Sequence, residues 1–275
     1  MVGPSTDEQA RSVDCSQLLA AFDSQMRGPE RLRLPDGVQD EVEGPVYRRW
    51  GASPHGFVST GDLQRLTGTQ LDALITRQIE FFSELSRAFE WKTYSHDHSA
   101  DLTGRLVAHG FVPDERETLV IGRLSAIGQD PKPPAGVTIR AVSSHADTER
   151  MAGLLSEVSG EDRSFLGNIL FSVRMENPEN VVLLVAEANQ QVVSCARLNL
   201  EPPSDFGSLW AGSTLPNWRG RGIYRALVAY RARIAADRGY RYLQVDATEN
   251  SRPILERLGF ITVSSTTPYI WTPPD

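Results

Sequence analysis

Apolar and polar positions along residues 137–275 repeat with periods that predict one element after another. Val137–Val142 alternates and predicts a strand. Met151, Leu154, Leu155 and Val158 share one helical face, with Ser144 placed to cap its start and Gly160 to stop its end. Phe165, Leu166, Ile169, Leu170 and Val173 mark a second helix. Val181–Ala186 and Gln191–Leu200 predict a hairpin turning at Ala188-Asn189-Gln190, and Phe206–Leu215 a third strand ended by Pro216. Ile223, Ala226, Leu227, Tyr230 and Ile234 form the stripe of an amphipathic helix. Tyr240–Ala247 reads as a strand and Pro253–Leu258 as a short helix. Ile261–Ser264 and Tyr269–Thr272 read as two closing strands.

The first half is less regular. Leu71, Leu74, Ile75, Ile79, Phe82, Leu85 and Phe89 trace a long helix opening near Thr69. A strand over Phe89–Tyr94, a helix over Asp101–Ala108 and the pair Gly110-Phe111 follow. The same order recurs about 150 residues later as Tyr242–Asp246, a short helix and Gly259-Phe260, with Ser99 and Ser251 at matching points. This is a weak internal repeat, consistent with two copies of one fold. Between the halves, Gly128–Gly136 holds three prolines and two glycines and nothing that could fill a core. The boundary is therefore expected there, giving domains 1–136 and 137–275.

Composition narrows the classes. Apolar residues are 40% and charged residues 23% of 275, ordinary for a folded soluble chain. No apolar run is long enough to cross a membrane as a helix. Met1–Arg11 is polar and acidic rather than basic then apolar, so no signal peptide is expected. Two cysteines, Cys15 and Cys195, are too few for a disulfide framework, and a reduced cytoplasm is the expected compartment. A net charge of −7 argues against a nucleic-acid partner.

One segment carries chemistry: Thr214-Leu215-Pro216-Asn217-Trp218-Arg219-Gly220-Arg221-Gly222-Ile223-Tyr224. It joins a strand end to the first turn of a helix. Two glycines let backbone approach an anion, and the helix start aims free N–H groups at it. Arg219 and Arg221 add positive charge where phosphate oxygens would sit. The competing reading is a plain turn with solvated charges. Neither a P-loop nor a dinucleotide fingerprint matches.

Arg219-Gly220-Arg221-Gly222-Ile223-Tyr224 resembles the Arg/Gln-x-x-Gly-x-Gly/Ala loop of the GCN5-related N-acetyltransferase (GNAT) superfamily, and the order of elements from Val137 to Thr272 is similar to that fold. The resemblance implies an α/β (α+β) domain, a mixed and mostly antiparallel sheet flanked by helices, using acetyl-CoA as co-substrate. The first half resembles a degenerate GNAT-like domain without that loop, structural in role or shaping the acceptor pocket. Cofactor contacts implied by the resemblance are Ser213, Thr214, Leu215, Arg219, Gly220, Arg221, Gly222, Ile223, Tyr224 and Asn250. The acetyl group would pass to the amine of a small-molecule or peptide acceptor. The family's proton-donating tyrosine, four residues before the Gly-Phe pair, is replaced by Leu255. The catalytic candidates are Asp246 or Glu249, at the end of the strand, as base, and water or Tyr224 as proton donor. The loss at Leu255 leaves a second reading open, a weak or inactive acyl-CoA-binding or regulatory protein.

Other residues carry less. His96-Asp97-His98 reads as a polar turn rather than a metal site, and no metal is expected. Cys195 and the tryptophans Trp91 and Trp210 read as core. Arg231, Arg233, Arg238 and Arg241 read either as attraction for a cofactor phosphate or as a solvated helix face.

Overall fold

The computed structural model of the protein describes residues 6–29, 32–66, 68–97 and 101–274. His98 and Ser99 lie outside them. The first half runs α1 (Thr6–Met26), β1 (Gln39–Glu43), β2 (Val46–Trp50), β3 (Gly56–Thr60), α2 (Thr69–Glu84), β4 (Phe89–Tyr94), α3 (Leu102–Ala108), β5 (Val112–Pro113) and β6 (Glu117–Arg123). The second runs β7 (Thr138–Ala141), α4 (His145–Ser159), α5 (Leu166–Glu176), β8 (Val181–Ala188), β9 (Gln191–Leu200), β10 (Phe206–Thr214), α6 (Ile223–Asp237), β11 (Tyr242–Ala247), α7 (Arg252–Arg257) and β12 (Phe260–Trp271).

Local chemistry sets most boundaries. Ser144 Oγ accepts from the Asp147 amide at 3.2 Å, and Gly160 closes α4 in the left-handed region at φ 75°. Asn189 and Gln190, at φ 49° and 64°, make the two-residue turn between β8 and β9. The two closing strands expected at the C-terminus are one: β12 runs unbroken for 12 residues, because Thr266–Trp271 pairs with β4 while Phe260–Thr266 pairs with β6.

All strands join one sheet in the order β1-β2-β3-β4-β12-β6-β11-β10-β9-β8-β7, with β5 beside β12. It is mixed and mostly antiparallel. Two neighbouring pairs are parallel, β3 with β4 in the first half and β10 with β11 in the second. The last strand of each half is exchanged: β6 lies against β11, and β12 lies against β4. The halves therefore share one continuous sheet.

One face of that sheet is covered by helices over both halves, leaving the edge strand β1 exposed. Over the first half, α2 and α3 bury Leu71, Leu74, Phe82 and Leu106 against Phe89 and Trp91. Gly56 is needed here, since a Cβ would stand 2.1 Å from the Phe82 ring. Over the second half, α6 and α7 bury Val228, Ala232 and Leu255 against Leu198, Leu209 and Leu243.

The opposite face is covered only in patches. Leu18 and Phe22 of α1 pack on Leu119, Ile121, Phe206 and Tyr242, while α4 and α5 pack on β8 and β9. Between these patches the face is polar. Period-two alternation puts Phe89, Trp91 and Thr93 in the core and leaves Glu90, Lys92 and Tyr94 on the uncovered side.

Candidate active site

The parallel pair β10–β11 opens as it runs. Its register goes from Phe206–Tyr242 to Ser208–Gln244 and stops, while β10 stays paired to β9 as far as Thr214. A bulge at Ala211-Gly212, with Ala211 at φ 51°, turns β10 away from β11. Backbone groups of β10 beyond Ser208 thus face a gap. Gly212 matters at its edge, because a Cβ there would lie 2.9 Å from the Tyr224 ring.

The predicted loop lies beyond the wide end of the gap. A 3-10 turn over Pro216–Trp218 leads into Gly220 at φ 73° and Gly222 at φ 85°, and Gly222 caps α6 with no side chain on its first-turn amides. Those amides and the helix dipole form a place for a phosphate group. Arg221 stacks 4.6 Å from the Trp218 ring centroid and donates to the Asn217 carbonyl at 2.9 Å, while Arg219 donates to the Thr214 carbonyl at 3.1 Å. Ile223 is buried as the first core residue of α6.

Other candidates lie apart from the loop. The Leu215 side chain is in the core and its amide donates to Val193 at 3.0 Å. The Ser213 carbonyl accepts from Ser194 Oγ at 2.6 Å, and Thr214 Oγ1 stands 2.8 Å from Ser194 Oγ. Asn250 is exposed in the turn after β11. Glu249 is on the surface, bonded to Arg252 at 2.8 Å. His96 has both ring nitrogens engaged, by Ser264 at 2.6 Å and Asp23 at 3.0 Å.

The gap passes through the sheet into a cavity of about 630 Å³. Tyr224 and Arg231 of α6 line it from the covered face, and Glu90, Lys92, Glu117 and Asp246 line it from the open face. Asp246, named from the sequence, forms an ion pair with Lys92 through Oδ2, and both side chains are 13% exposed. Its Oδ1 has no hydrogen-bond partner. Asp246 holds the Lys92 ammonium well above its usual range despite burial. Burial, reinforced by Asp246, lifts the Glu117 carboxyl to about 7, and burial also lifts Glu90. Tyr94 is pushed up to about 12 by burial.

Arg231 departs from the solvated face considered for it. It is 1% exposed and donates to the Leu227 carbonyl at 3.1 Å and the Arg197 carbonyl at 3.2 Å, beside the bulge. Burial lowers its pKa, and its Nη2 has no partner at hydrogen-bond geometry. The Tyr224 hydroxyl is near enough to feel that charge, although burial is stronger and raises it. Trp210 is not core as expected: it is 45% exposed and walls the cavity, whereas Trp91 is fully buried. Cys195 is core, its thiol pushed up to about 12 by burial. Leu255 is fully buried, so no hydroxyl stands there.

Glu117, Glu90 and Lys92 escaped the sequence reading, whereas Arg231 was named there in a different role. The signal was present in the alternation of Phe89-Glu90-Trp91-Lys92, which keeps charge on one face of a strand.

The parallel pair of the first half repeats this geometry with the opening filled. β3 and β4 pair from Gly56–Phe89 to Val58–Trp91, and beyond that point Arg27 donates to the Thr60 carbonyl at 2.7 Å while pairing with Asp97. Gly68 caps α2 at φ 52°, and Arg65 stands three residues before it as Arg219 does before Gly222. Here Asp72 places a carboxylate in the first helical turn, which disfavours an anion.

Residues 149–260 match the model of the acetyltransferase (GNAT) family. Among solved structures, the chain is similar to a GCN5-related N-acetyltransferase from Kribbella flavida at 16% identity, over 97% of this chain and 95% of that one, with a TM-score of 0.67. It is similar to a GCN5-related N-acetyltransferase from Sphaerobacter thermophilus at 16% identity over 83% and 76%, TM-score 0.63. It is also similar to a tandem GNAT protein from the clavulanic acid biosynthesis pathway at 14% identity over 100% and 98%, TM-score 0.62. No curated protein matches the sequence. Among the described residues no helix is long and apolar enough to cross a membrane.

Proposed function

With its second half a GNAT-family domain in a chain that has the tandem GNAT fold, we propose that the protein transfers an acetyl group from acetyl-CoA to a primary amine. Acyl transfer is the family's general chemistry. The observation that carries the reading is the parallel pair β10–β11, splayed beyond Ser208 toward a helix start whose amides no side chain caps. The residues present fit the co-substrate. The α6 amides with Arg219 and Arg221 would hold its pyrophosphate, and the gap-facing backbone from Leu209 to Gly212 would pair with its pantetheine arm. Asn250 and Ser213–Leu215 are at most outlying contacts.

When bound, acetyl-CoA supplies an acetyl thioester. An amine reaching it from the open face passes Glu117, and an amine must lose a proton to be nucleophilic. A carboxyl titrating at about 7 is suited to take that proton, while Asp246 is committed to Lys92. We therefore assign the base to Glu117, with Asp246 and Lys92 as its electrostatic surroundings. The new C–N bond forms as the C–S bond breaks, the thiolate takes a proton from the Tyr224 hydroxyl, and the second proton shed by the nitrogen restores that hydroxyl through solvent. Tyr224 is a part-buried hydroxyl on the gap's edge, and Leu255 cannot serve.

Calorimetric titration with acetyl-CoA and with CoA tests the first step, and thiol release with an amine panel tests the second. Micromolar binding and amine-dependent release are expected. No heat and no thermal stabilisation with either ligand would end this reading.

A further inference from the structure

Two side chains of α6 close on the bulge that opens the gap. Tyr224 and Arg231 are seven residues apart, so they stand on one helix face about 10 Å apart along the axis. The arginine runs back toward the tyrosine: its Nε donates to the Leu227 carbonyl, one turn nearer the helix start. Its Nη1 donates to the Arg197 carbonyl, and Arg197 is the register partner of Trp210, the last residue before the bulge. The Tyr224 ring lies at Gly212 of the same bulge. The remaining nitrogen, Nη2, is buried with no partner at hydrogen-bond geometry. The titratable groups that act on this guanidinium are the Tyr224 hydroxyl and the Cys195 thiol of β9. Burial keeps the thiol neutral, and Asp246 of β11, across the gap, is held by Lys92. Tyr224 is therefore the group left for Nη2.

We propose that Arg231 is the positioning residue of the proton donor: it holds the Tyr224 hydroxyl at the bulge and stabilises the tyrosinate formed when that hydroxyl protonates the departing thiolate. This rests on the acetyltransferase reading and deepens it. Burial makes Tyr224 a weaker acid than a free tyrosine, whereas a thiol titrates near about 8.5. Transfer from an unaided tyrosine to the thiolate therefore runs uphill. A fixed guanidinium beside the oxygen favours the charged form and offsets that slope. In the step an O–H bond breaks and an S–H bond forms. The negative charge passes from sulfur to the phenolic oxygen, and solvent returns the proton to it. A hydrogen bond that is loose without ligand tightens once the gap is filled. The start of α6 thus supplies the donor that α7 lacks at Leu255.

The test is a double-substitution cycle on the full chain. It reads kcat for CoA release with saturating acetyl-CoA and the amine that the parent turns over fastest. Tyr224→Phe should lower kcat roughly 10²-fold and Arg231→Met roughly tenfold, each leaving the calorimetric Kd for acetyl-CoA within about twofold. Added to Tyr224→Phe, Arg231→Met should cost no more than about a further twofold. Losses that multiply in the double variant would overturn the proposal, since Arg231 would then act on the thiolate itself or on the fold. Arg231→Lys keeps a cation and a donor for the Leu227 carbonyl without the planar fork, and it closes the cycle where Arg231→Met does not fold. It should fall below the parent only while Tyr224 is present. Ultraviolet difference titration against the matching Tyr224→Phe protein follows the Tyr224 hydroxyl with no acceptor. Its ionisation should move to higher pH when Arg231 is replaced, and an unmoved ionisation would overturn the pairing. A parent that binds no acetyl-CoA, or releases CoA with no amine, ends the acetyltransferase reading, whereas multiplying losses in an active parent end the pairing alone.

Discussion

At the residue scale, Glu117 joins two consequences that can be measured apart. Its carboxyl titrates near 7 because burial and the neighbouring Asp246 resist a second negative charge. As general base it must be ionised, so acceptor turnover should rise with pH through about 7, and Glu117→Gln should lose that limb with roughly 10²-fold of kcat. Stability should move the other way. A carboxyl whose folded pKa is raised above its ordinary range favours folding at low pH, and that contribution is lost as pH climbs through about 7. Glu117→Gln should therefore melt above the parent protein at pH 8 and not at pH 5; melting curves showing no pH-dependent gap would refute the assignment. Gly222 offers a second handle. Gly222→Asp places a carboxylate at the α6 start and a side chain at φ 85°, with a strain on the order of 1 kcal/mol. Acetyl-CoA binding should vanish while the fold survives, as calorimetry and circular dichroism would report.

At the scale of elements, the helices around the gap and the strands β4 and β11 were legible in the sequence, and β6, which carries Glu117, was not. Ser144 and Gly160 bound α4 as capping chemistry requires, and the loop at Arg219–Gly222 sits between β10 and α6 as its glycines demanded. By contrast β6 reads Glu-Thr-Leu-Val-Ile-Gly-Arg, buried on both faces, so it has no alternation to announce it or to single out Glu117 at its start. Charge pairing across strands is equally silent in one dimension: Lys92 of β4 meets Asp246 of β11 with β12 and β6 lying between them in the sheet. Breaking this pair should be costly. Lys92→Met leaves a buried carboxylate alone and should destabilise by about 3 kcal/mol in denaturant titrations, while Lys92→Met with Asp246→Leu should recover much of the loss. Restoring a tyrosine at Leu255 should not restore a proton donor. That site is closed by Ala247, Phe260 and other core residues, and overpacking it should cost roughly 1–3 kcal/mol without raising turnover.

At the scale of the molecule, the exchange of β6 and β12 decides how the halves depend on each other. The Gly128–Gly136 segment has the composition of a linker, and composition gives no hint that strands on its two sides trade places, because pairing is fixed by contacts over 100 residues apart. In the intact chain β11 has six residues, Tyr242–Ala247, paired to Arg123–Thr118 of β6. A fragment of residues 137–275 would leave that edge open and strip Phe206 and Tyr242 of the α1 side chains that cover them. It should therefore be insoluble or unfolded when expressed alone, although the family match falls wholly within it. Residues 1–136 should fare no better, since β12 separates β4 from β6 in the sheet. Co-expressed, the two fragments should assemble into a complex that binds acetyl-CoA as the intact chain does, and the intact chain should unfold in one transition. A soluble, acetyl-CoA-binding 137–275 fragment, or two separate melting transitions, would mean that the shared sheet is not what holds the halves together. The first half supplies Glu90, Lys92 and Glu117 to a cavity whose splayed β10–β11 wall belongs to the second half, so neither half contains the cavity alone.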